Sequence, residues 1–367
     1  MRVLHLVDRL SPRGGADHHL RDLLLEQRRR HRLHVAFGRV EPGGRLPAGV
    51  HGHRVKGLAH PVDGGRGLYV LEQLLPGFDI VHLHNIMNPS AIAMAVATGR
   101  AVATIQDHRV FCPGPGRTLP SGAACDRPMS EAACAACLPD DDYRRRTLAV
   151  TRARRDALQG ARLIALSRYM ADALDQAGLP GAAVIPPWVE VAAPRAAPGR
   201  GFVLGGRLVA HKDPLLSWRA WRRAGVDHPL VVAGAGPLEP ALEGADRRGW
   251  LQRPRLREAL RGARALLFCP RWQEPFGILG VEALAEGTPV IAARVGGVGD
   301  WADAGVIEVP PGDEAALAEA IRALADDPAR ALALGEAGRR LVAERFSKAP
   351  LLARIEAVYG AARLTAR

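Results

Sequence analysis

Short apolar runs alternate with longer mixed segments along nearly the whole chain. Residues 3–7, 33–37, 79–84, 101–105, 163–166 and 183–185 are largely apolar over consecutive positions, the pattern of strands buried on both faces. Between them, residues 16–27, 90–97 and 167–177 read as helices, the last ending at Gly178. Alternation of β and α at this spacing predicts a parallel sheet with helices on both faces. Pro186-Pro187-Trp188 and the Ala/Pro/Gly/Arg segment 192–201 break the pattern and read as a linker. A second series follows, with strands at 202–205, 230–233, 265–269, 289–292 and 306–309. Helices at 314–325, 328–345 and 350–362 finish the chain. The expectation is an α/β protein of two Rossmann-like domains facing a cleft.

At 367 residues the chain has room for two domains of ordinary size, and 48% hydrophobic content excludes wholesale disorder. No apolar stretch is long enough to span a bilayer. The opening strand meets Asp8 and Arg9 too soon to be a secretory leader, so a cytoplasmic setting is expected. The net charge of +12 suits phosphorylated substrates, and a peripheral contact with an anionic membrane surface. Aromatic residues make up 5%, too few for an obvious stacking platform, and no nucleic-acid motif is visible. Nucleic acid is therefore not an expected partner.

The chemistry concentrates around residues 263–292. An apolar run ending at Pro270 reads as a strand, the residues after Gly277 as a helix closed by Gly287, and 288–292 as the next strand. The loop between strand and helix lies at a carboxyl strand end, where open α/β sheets bind ligands. The N–H groups of Gly277, Ile278 and Leu279 open the helix and can cradle a phosphate. Glu274 precedes them, and Glu282 stands farther into the helix among apolar neighbours, where a charge needs a partner. Two carboxylates flanking a phosphate site suit a nucleotide-sugar, one for the sugar and one for the ribose.

Glu274-Pro275-Phe276-Gly277, the second Glu282, and Gly287-Thr288-Pro289-Val290-Ile291 downstream resemble the E-x7-E signature of glycosyltransferase family 4. Its members are retaining enzymes of GT-B fold that use nucleotide-diphosphate sugars. The resemblance covers nearly the whole chain and is strongest over residues 202–311. It implies an acceptor-binding domain over 1–198, a donor-binding domain over 199–345, and a C-terminal helix, 346–367, that crosses back to the first.

Several loops after strands fit this resemblance. Gly205-Gly206-Arg207-Leu208 followed by Lys212 matches the family's G-R-L…K pattern, whose fixed charge holds the leaving diphosphate. Gly234-Ala235-Gly236 suits a close approach of backbone to nucleotide, or a simple tight turn. Gly14-Gly15-Ala16-Asp17 is similar to the family's G-G-x-E loop, with Asp for Glu, and is not the G-x-G-x-x-G of dinucleotide enzymes. Gly15 is thereby implied near the donor diphosphate and Asp17 near the acceptor. His84 and Asn85 end a strand and are expected to face the cleft near the acceptor. Two departures stand out. Family members usually have Pro-Glu where this chain has Gly299-Asp300, and His-Asp where it has Gln106-Asp107 followed by His108. Either Gln106 replaces the family histidine or His108 takes over.

Cys112, Cys125, Cys134 and Cys137 cluster in an irregular loop, and Cys134-Ala135-Ala136-Cys137 has metal-ligand spacing. Structural zinc, uncommitted thiols and redox chemistry are all compatible with that spacing. Arg144-Arg145-Arg146 and Arg152, Arg154 and Arg155 read as a solvated helix face or as a guide for an anionic acceptor.

Together these readings give a retaining hexosyltransferase of carbohydrate or natural-product biosynthesis. It would move sugar from a UDP-sugar, or a GDP-sugar, to a hydroxyl of a glycan, lipid-linked or small-metabolite acceptor. Glu274, Arg207, Lys212 and His108 are the expected catalytic set. Gly15, Gly277, Ile278, Leu279 and Glu282 join Arg207 and Lys212 in binding the donor, and Asp17, His84 and Asn85 face the acceptor. No cofactor is expected for catalysis, since Arg and Lys carry the charge. The rivals are another GT-B class, such as an epimerase or hydrolase, and a non-catalytic sugar-nucleotide-binding module.

Overall fold

Strand propensity and sheet order together put the chemistry-bearing segments of this chain at the carboxyl ends of central strands in two sheets. The computed structural model describes residues 1–60 and 67–365. It divides into two units: residues 1–120, 125–186 and 349–367 form the first, and 121–124 with 187–348 the second. The chain passes from one to the other at Pro186/Pro187, where the sequence places the boundary at 198/199. The intervening segment runs with the second unit because it is tied there: Ala192 N–H donates to Ala285 O, and the Arg195 guanidinium donates to the carbonyls of Ala263 and Gly287.

Among the described residues the first unit has seven strands: β1 (Arg2–Leu10), β2 (Arg32–Val40), β3 (His51–Arg54), β4 (Ile80–His84), β5 (Ala101–Ile105), β6 (Arg162–Ala165) and β7 (Ala183–Val184). They lie in the order β3-β2-β1-β4-β5-β6-β7, and every pairing is parallel. The helices are α1 (Gly15–Gln27), α2 (Tyr69–Leu74), α3 (Pro89–Val96), α4 (Glu131–Cys134), α5 (Asp141–Ala157) and α6 (Arg168–Gln176). Strands β4 and β5 are buried at every position, which is why they read as unbroken apolar runs. Helix ends are set by side chains: Asn88 accepts from Ser90 N–H and Ala91 N–H, Asp140 from Tyr143 N–H, and Ser167 from Met170 N–H.

The second unit has six strands: β8 (Phe202–Arg207), β9 (Leu230–Ala235), β10 (Asp246–Arg247), β11 (Ala265–Phe268), β12 (Val290–Ala293) and β13 (Val306–Val309). Their order is β10-β9-β8-β11-β12-β13, again all parallel. Its helices are α7 (Pro214–Ala224), α8 (Arg253–Arg261), α9 (Ile278–Ala285), α10 (Glu314–Asp326) and α11 (Pro328–Arg345). The final helix α12 (Lys348–Thr365) belongs to the first unit from Ala349 onward. There Glu356 accepts from the Gln27 amide at 3.0 Å and pairs with His31 at 2.8 Å, and Arg354 donates to Val184 O.

In each sheet the chain reverses its direction of winding once. In the first unit this occurs between β1 and β4, and in the second between β8 and β11. Such switch points open a crevice at the carboxyl ends of the strands. At these ends α1, which follows β1, opens with Gly15 and Asp17, and Asn85 follows β4; Arg207 ends β8, and the segments after β8 and β11 carry Lys212 and Glu274. Among the described residues no helix is long and apolar enough to cross a membrane.

Candidate active site

The second unit assembles its polar residues from three loops. β8 ends in Gly205-Gly206-Arg207, and β9 runs beside it with Gly206 opposite Gly234. A Cβ on Gly234 would stand 2.1 Å from Gly206 O, so glycine there is a condition of the two strand ends approaching so closely. Past this pinch the chain carries Arg207 outward, exposed, and turns through a short 3-10 helix, Ala210–Lys212. Asp213 ends that turn with φ 44° and caps α7 by accepting from Leu216 N–H at 3.2 Å.

The turn brings Lys212 onto the loop after β11. Lys212 Nζ pairs with Glu274 Oε2, and Trp272 Nε1 donates to the same oxygen at 2.7 Å. The Lys212 ammonium also stands 4.8 Å from the centre of the Trp272 ring, within cation–π range. Backbone bonds fix the two loops together, since Arg271 N–H and Trp272 N–H both donate to His211 O. The His211 ring lies 4.6 Å from that of Trp272 and 3.5 Å from Arg207 Nη2. Burial, with Arg207 and then Lys212 beside it, lowers the His211 pKa to about 4, so the imidazole is neutral at physiological pH.

Glu274 is 7% exposed, and its position is over-determined by the third loop, the turn Gly296–Asp300 after β12. Gly297 N–H donates to Glu274 O at 2.7 Å, and Gly296 N–H donates to the Gln273 side chain at 2.9 Å. Gly296 has φ 54°, and a Cβ on it would fall 2.4 Å from Glu274 O. This turn therefore holds the catalytic candidate by its backbone, a role that reading its Gly299-Asp300 end by family pattern does not reveal.

Helix α9 begins after Gly277, whose φ of 86° and ψ of 51° are left-handed. A Cβ on Gly277 would meet the Phe268 ring at 2.9 Å, and one on Gly280 would meet Trp301 at 2.1 Å. Trp301 is fully buried and donates from Nε1 to Phe276 O at 2.5 Å. The N–H groups of Ile278 and Leu279 thus open a helix whose entry angle is locked by Trp301. Glu282 is 8% exposed, and the partner its burial required is Arg253 of α8, with Nε 3.5 Å from Oε1. One turn on, Glu286 takes Arg257 at 2.5 Å, so α8 and α9 are joined by ion pairs.

In the first unit, α1 starts at Gly15 after Gly14, which has φ 109°. Asp17 lies in its first turn, 3.6 Å from Arg9 Nη2, with Asp8 and Glu41 also around that guanidinium. Burial raises the Asp17 pKa to about 7 against the lowering effect of Arg9, and Asp8 and Glu41 add to the rise. Asn85 has φ 53° and donates from Nδ2 to Gln106 Oε1 at 2.7 Å, and Gln106 is 8% exposed. Asp107 is bound by Arg109, whose charge lowers the carboxyl pKa against the opposing effect of burial.

Two expectations in this unit are corrected. His84 does not face outward beside Asn85; it is 3% exposed, 3.0 Å from the His5 ring nitrogen, on the face of β4 it shares with His82. His108 does not take the place of a family histidine at Gln106. It is 1% exposed, with Nε2 3.0 Å from the Tyr169 hydroxyl and its ring edge-on to Phe111. Gln106 and Asn85 come together just past neighbouring strand ends, while strand alternation puts His84 on the His82 face of β4, and the bend after β5 turns His108 onto Tyr169 and Phe111. Arg154, read as part of a solvated face, is also buried and donates to Met87 O at 2.8 Å.

The four loop cysteines are free thiols. Cys112 Sγ accepts from Arg117 N–H at 3.3 Å, and Cys137 Sγ contacts Thr118 O at 3.8 Å. Burial raises the pKa of Cys112 and of Cys137, and the neighbouring thiols push both further up. Among the described residues, the one group of three or more metal-ligating side chains with ligand atoms within 4.8 Å of one another is not these cysteines but His5, His82 and His84.

Comparison with known proteins bears on the second unit first. Residues 200–341 match the family model described as glycosyl transferases group 1. D-inositol 3-phosphate glycosyltransferase 1 of Catenulispora acidiphila is 45% identical over 111 residues, 30% of this chain and 26% of that protein. Glycogen synthase of Mycobacterium tuberculosis is 30% identical over 185 residues, 46% of this chain and 44% of that protein. The chain thus spans less than half the length of either relative. Over 98% of this chain, the fold matches the whole chain of the Anabaena Alr3699/HepE structure in complex with UDP and glucose, with TM-score 0.70 and 17% identity. The α/β fold class is that of the GT-B glycosyltransferases, two Rossmann-like parallel sheets. The likeness to the glycosyl transferases group 1 model thus falls within the second unit of this chain.

Proposed function

We propose that this chain is a retaining glycosyltransferase that moves a hexose from a nucleoside-diphosphate sugar to a hydroxyl acceptor. The observation that carries the reading is the Lys212–Glu274 pair under Trp272, at the switch point of a sheet matched by the group 1 model. Without donor, each charge neutralises the other. A diphosphate arriving at the N–H groups of Ile278 and Leu279 competes for Lys212 and frees Glu274 to accept from sugar hydroxyls. Arg207, exposed above the same loop, supplies a second, bidentate contact to the diphosphate. Both cations gain strength as negative charge develops on the leaving group, which lowers the barrier without a metal. Glu282 takes the ribose hydroxyls, exchanging its contact with Arg253.

A UDP-sugar is the favoured donor, and the Anabaena structure of the same fold, which holds UDP and glucose, supports that choice. Attack occurs on the face the diphosphate leaves, and a diphosphate oxygen accepts the acceptor's proton. In the first unit Asp17, Asn85 and Gln106 are the acceptor candidates, with Gln106 standing where the family histidine would. The relatives named above suit small phosphorylated polyols and glucans alike as acceptor classes.

Calorimetric titration of UDP, GDP and ADP into the wild type and Lys212→Ala tests the reading. One nucleotide is expected to bind best, and Lys212→Ala to weaken it about 10–100-fold, the loss of a charge-assisted contact of roughly 1.5–3 kcal/mol. Absence of binding by all three would overturn it.

A further inference from the structure

The first unit holds a group of imidazoles that the proposed transfer does not use. His82 and His84 alternate on β4, so both project from one face of the sheet. His5 on β1 is the register partner of His82 and joins them on that face. All three are buried, at 0% for His5 and His82 and 3% for His84. The rings crowd together, with centroids 4.0 Å apart for His82–His84, 5.3 Å for His5–His84 and 5.5 Å for His5–His82.

We propose that His5, His82 and His84, with the Tyr359 hydroxyl, form a binding site for a divalent late transition metal such as zinc or cobalt. His5 Nδ1 and His84 Nε2 lie 3.0 Å apart. That is close to the roughly 3.3 Å edge of a tetrahedron with metal–nitrogen bonds of about 2.0–2.1 Å. The third imidazole brings a ligand atom within 4.8 Å of both. His82 Nδ1 stands 2.7 Å from the Tyr359 hydroxyl, so the two can share one metal as neighbouring vertices. His82 Nε2 is 2.7 Å from Thr104 Oγ1, the kind of outer contact that fixes the tautomer and orientation of a metal-bound imidazole.

Hydrogen bonding alone leaves the group incomplete. His5 Nε2 and His84 Nδ1, the nitrogens turned away from the proposed metal, are buried without a hydrogen-bond partner, so hydrogen bonding leaves their tautomers unfixed and the facing nitrogens free to present lone pairs. Imidazole nitrogens with one phenol oxygen suit borderline cations such as zinc and cobalt rather than calcium or magnesium. Coordination of the inner lone pairs places the remaining ring protons on the outer nitrogens of His5 and His84. If Tyr359 binds as the phenolate, its proton leaves to solvent.

The test uses the full chain, unfolded with chelator and refolded with added cobalt(II). One cobalt per chain is expected after desalting, with the visible ligand-field absorption of a tetrahedral site. His84→Leu is expected to lower cobalt affinity at least 100-fold, while Tyr359→Phe retains binding and shifts the absorption. Thiolate charge-transfer absorption would instead assign the metal to the loop cysteines and overturn the proposal. So would no retained cobalt, or retention unchanged in His84→Leu. Should His84→Leu fail to fold, an absorption spectrum unmoved by Tyr359→Phe overturns it equally.

Discussion

Glu274 receives a charge from Lys212 and a hydrogen bond from Trp272 on one oxygen, while its backbone is gripped by Gly297. A side chain so constrained contributes by being in place before substrate arrives. Glu274→Gln keeps the shape and the Trp272 contact but removes the charge. Transfer from a UDP-sugar should fall about 100–1000-fold, with UDP affinity changed by only a few-fold, as steady-state rates and calorimetry would show. Asp17 gives a prediction of opposite kind. Its carboxyl is held up to about 7 in the folded chain against an ordinary 3.8, so the folded state binds the extra proton between those values. Stability therefore falls as pH rises from about 4 to 7, and the penalty is fully present above 7. Asp17→Asn should stabilise the protein by about 1–3 kcal/mol at pH 8 and by almost nothing at pH 4, read from urea melts at the two pH values. Equal effects at both would show that the carboxyl is not perturbed. At this scale the sequence displayed Arg207, Lys212, Glu274 and Glu282 because charges at strand ends or amid apolar residues are visible in one dimension. It could not display that His84 faces His5, because that depends on β1 lying beside β4. The alternation His82-x-His84 was the available signal, and it acquires meaning only once its neighbouring strand is known.

At the scale of elements, β5, buried at every position, was legible from its apolar run alone, and β13 falls on the expected residues too although it is a half-buried edge strand. The two missed strands, β3 with sequence His-Gly-His-Arg and β10 with Asp-Arg, are short, polar sheet edges with no apolar face to reveal them. Helix α9 is the element on which the donor reading depends, and its seat is steric. Gly280→Ala gains helix propensity worth about 1 kcal/mol, yet its methyl would meet the Trp301 ring. Overpacking of that kind costs roughly 1–3 kcal/mol, so the net change should be destabilising, with a lowered melting temperature and weakened UDP binding. A melting temperature at or above the wild type would mean that Trp301 moves aside freely.

At the scale of the molecule, the first unit is made of separated pieces of chain, and α12 supplies its closing layer. Tyr359 is fully buried against His82, and Glu356 holds both Gln27 and His31. Ending the chain after residue 348 should therefore expose the β1 and β4 amides to hydrogen exchange while leaving β8, β11 and β12 protected. Protection of β1 and β4 unchanged by that truncation would contradict the role given to α12.

The division between the units also sorts the chromophores. All six tryptophans, at 188, 218, 221, 250, 272 and 301, fall in the second unit, and all four tyrosines, at 69, 143, 169 and 359, in the first. Excitation at wavelengths that tyrosine does not absorb makes the second unit alone fluoresce, so its unfolding can be followed without labels while the first stays silent. Trp272 touches both Lys212 and Glu274, so if the proposed donor displaces those contacts, its share of the six-tryptophan emission should change on titration with UDP.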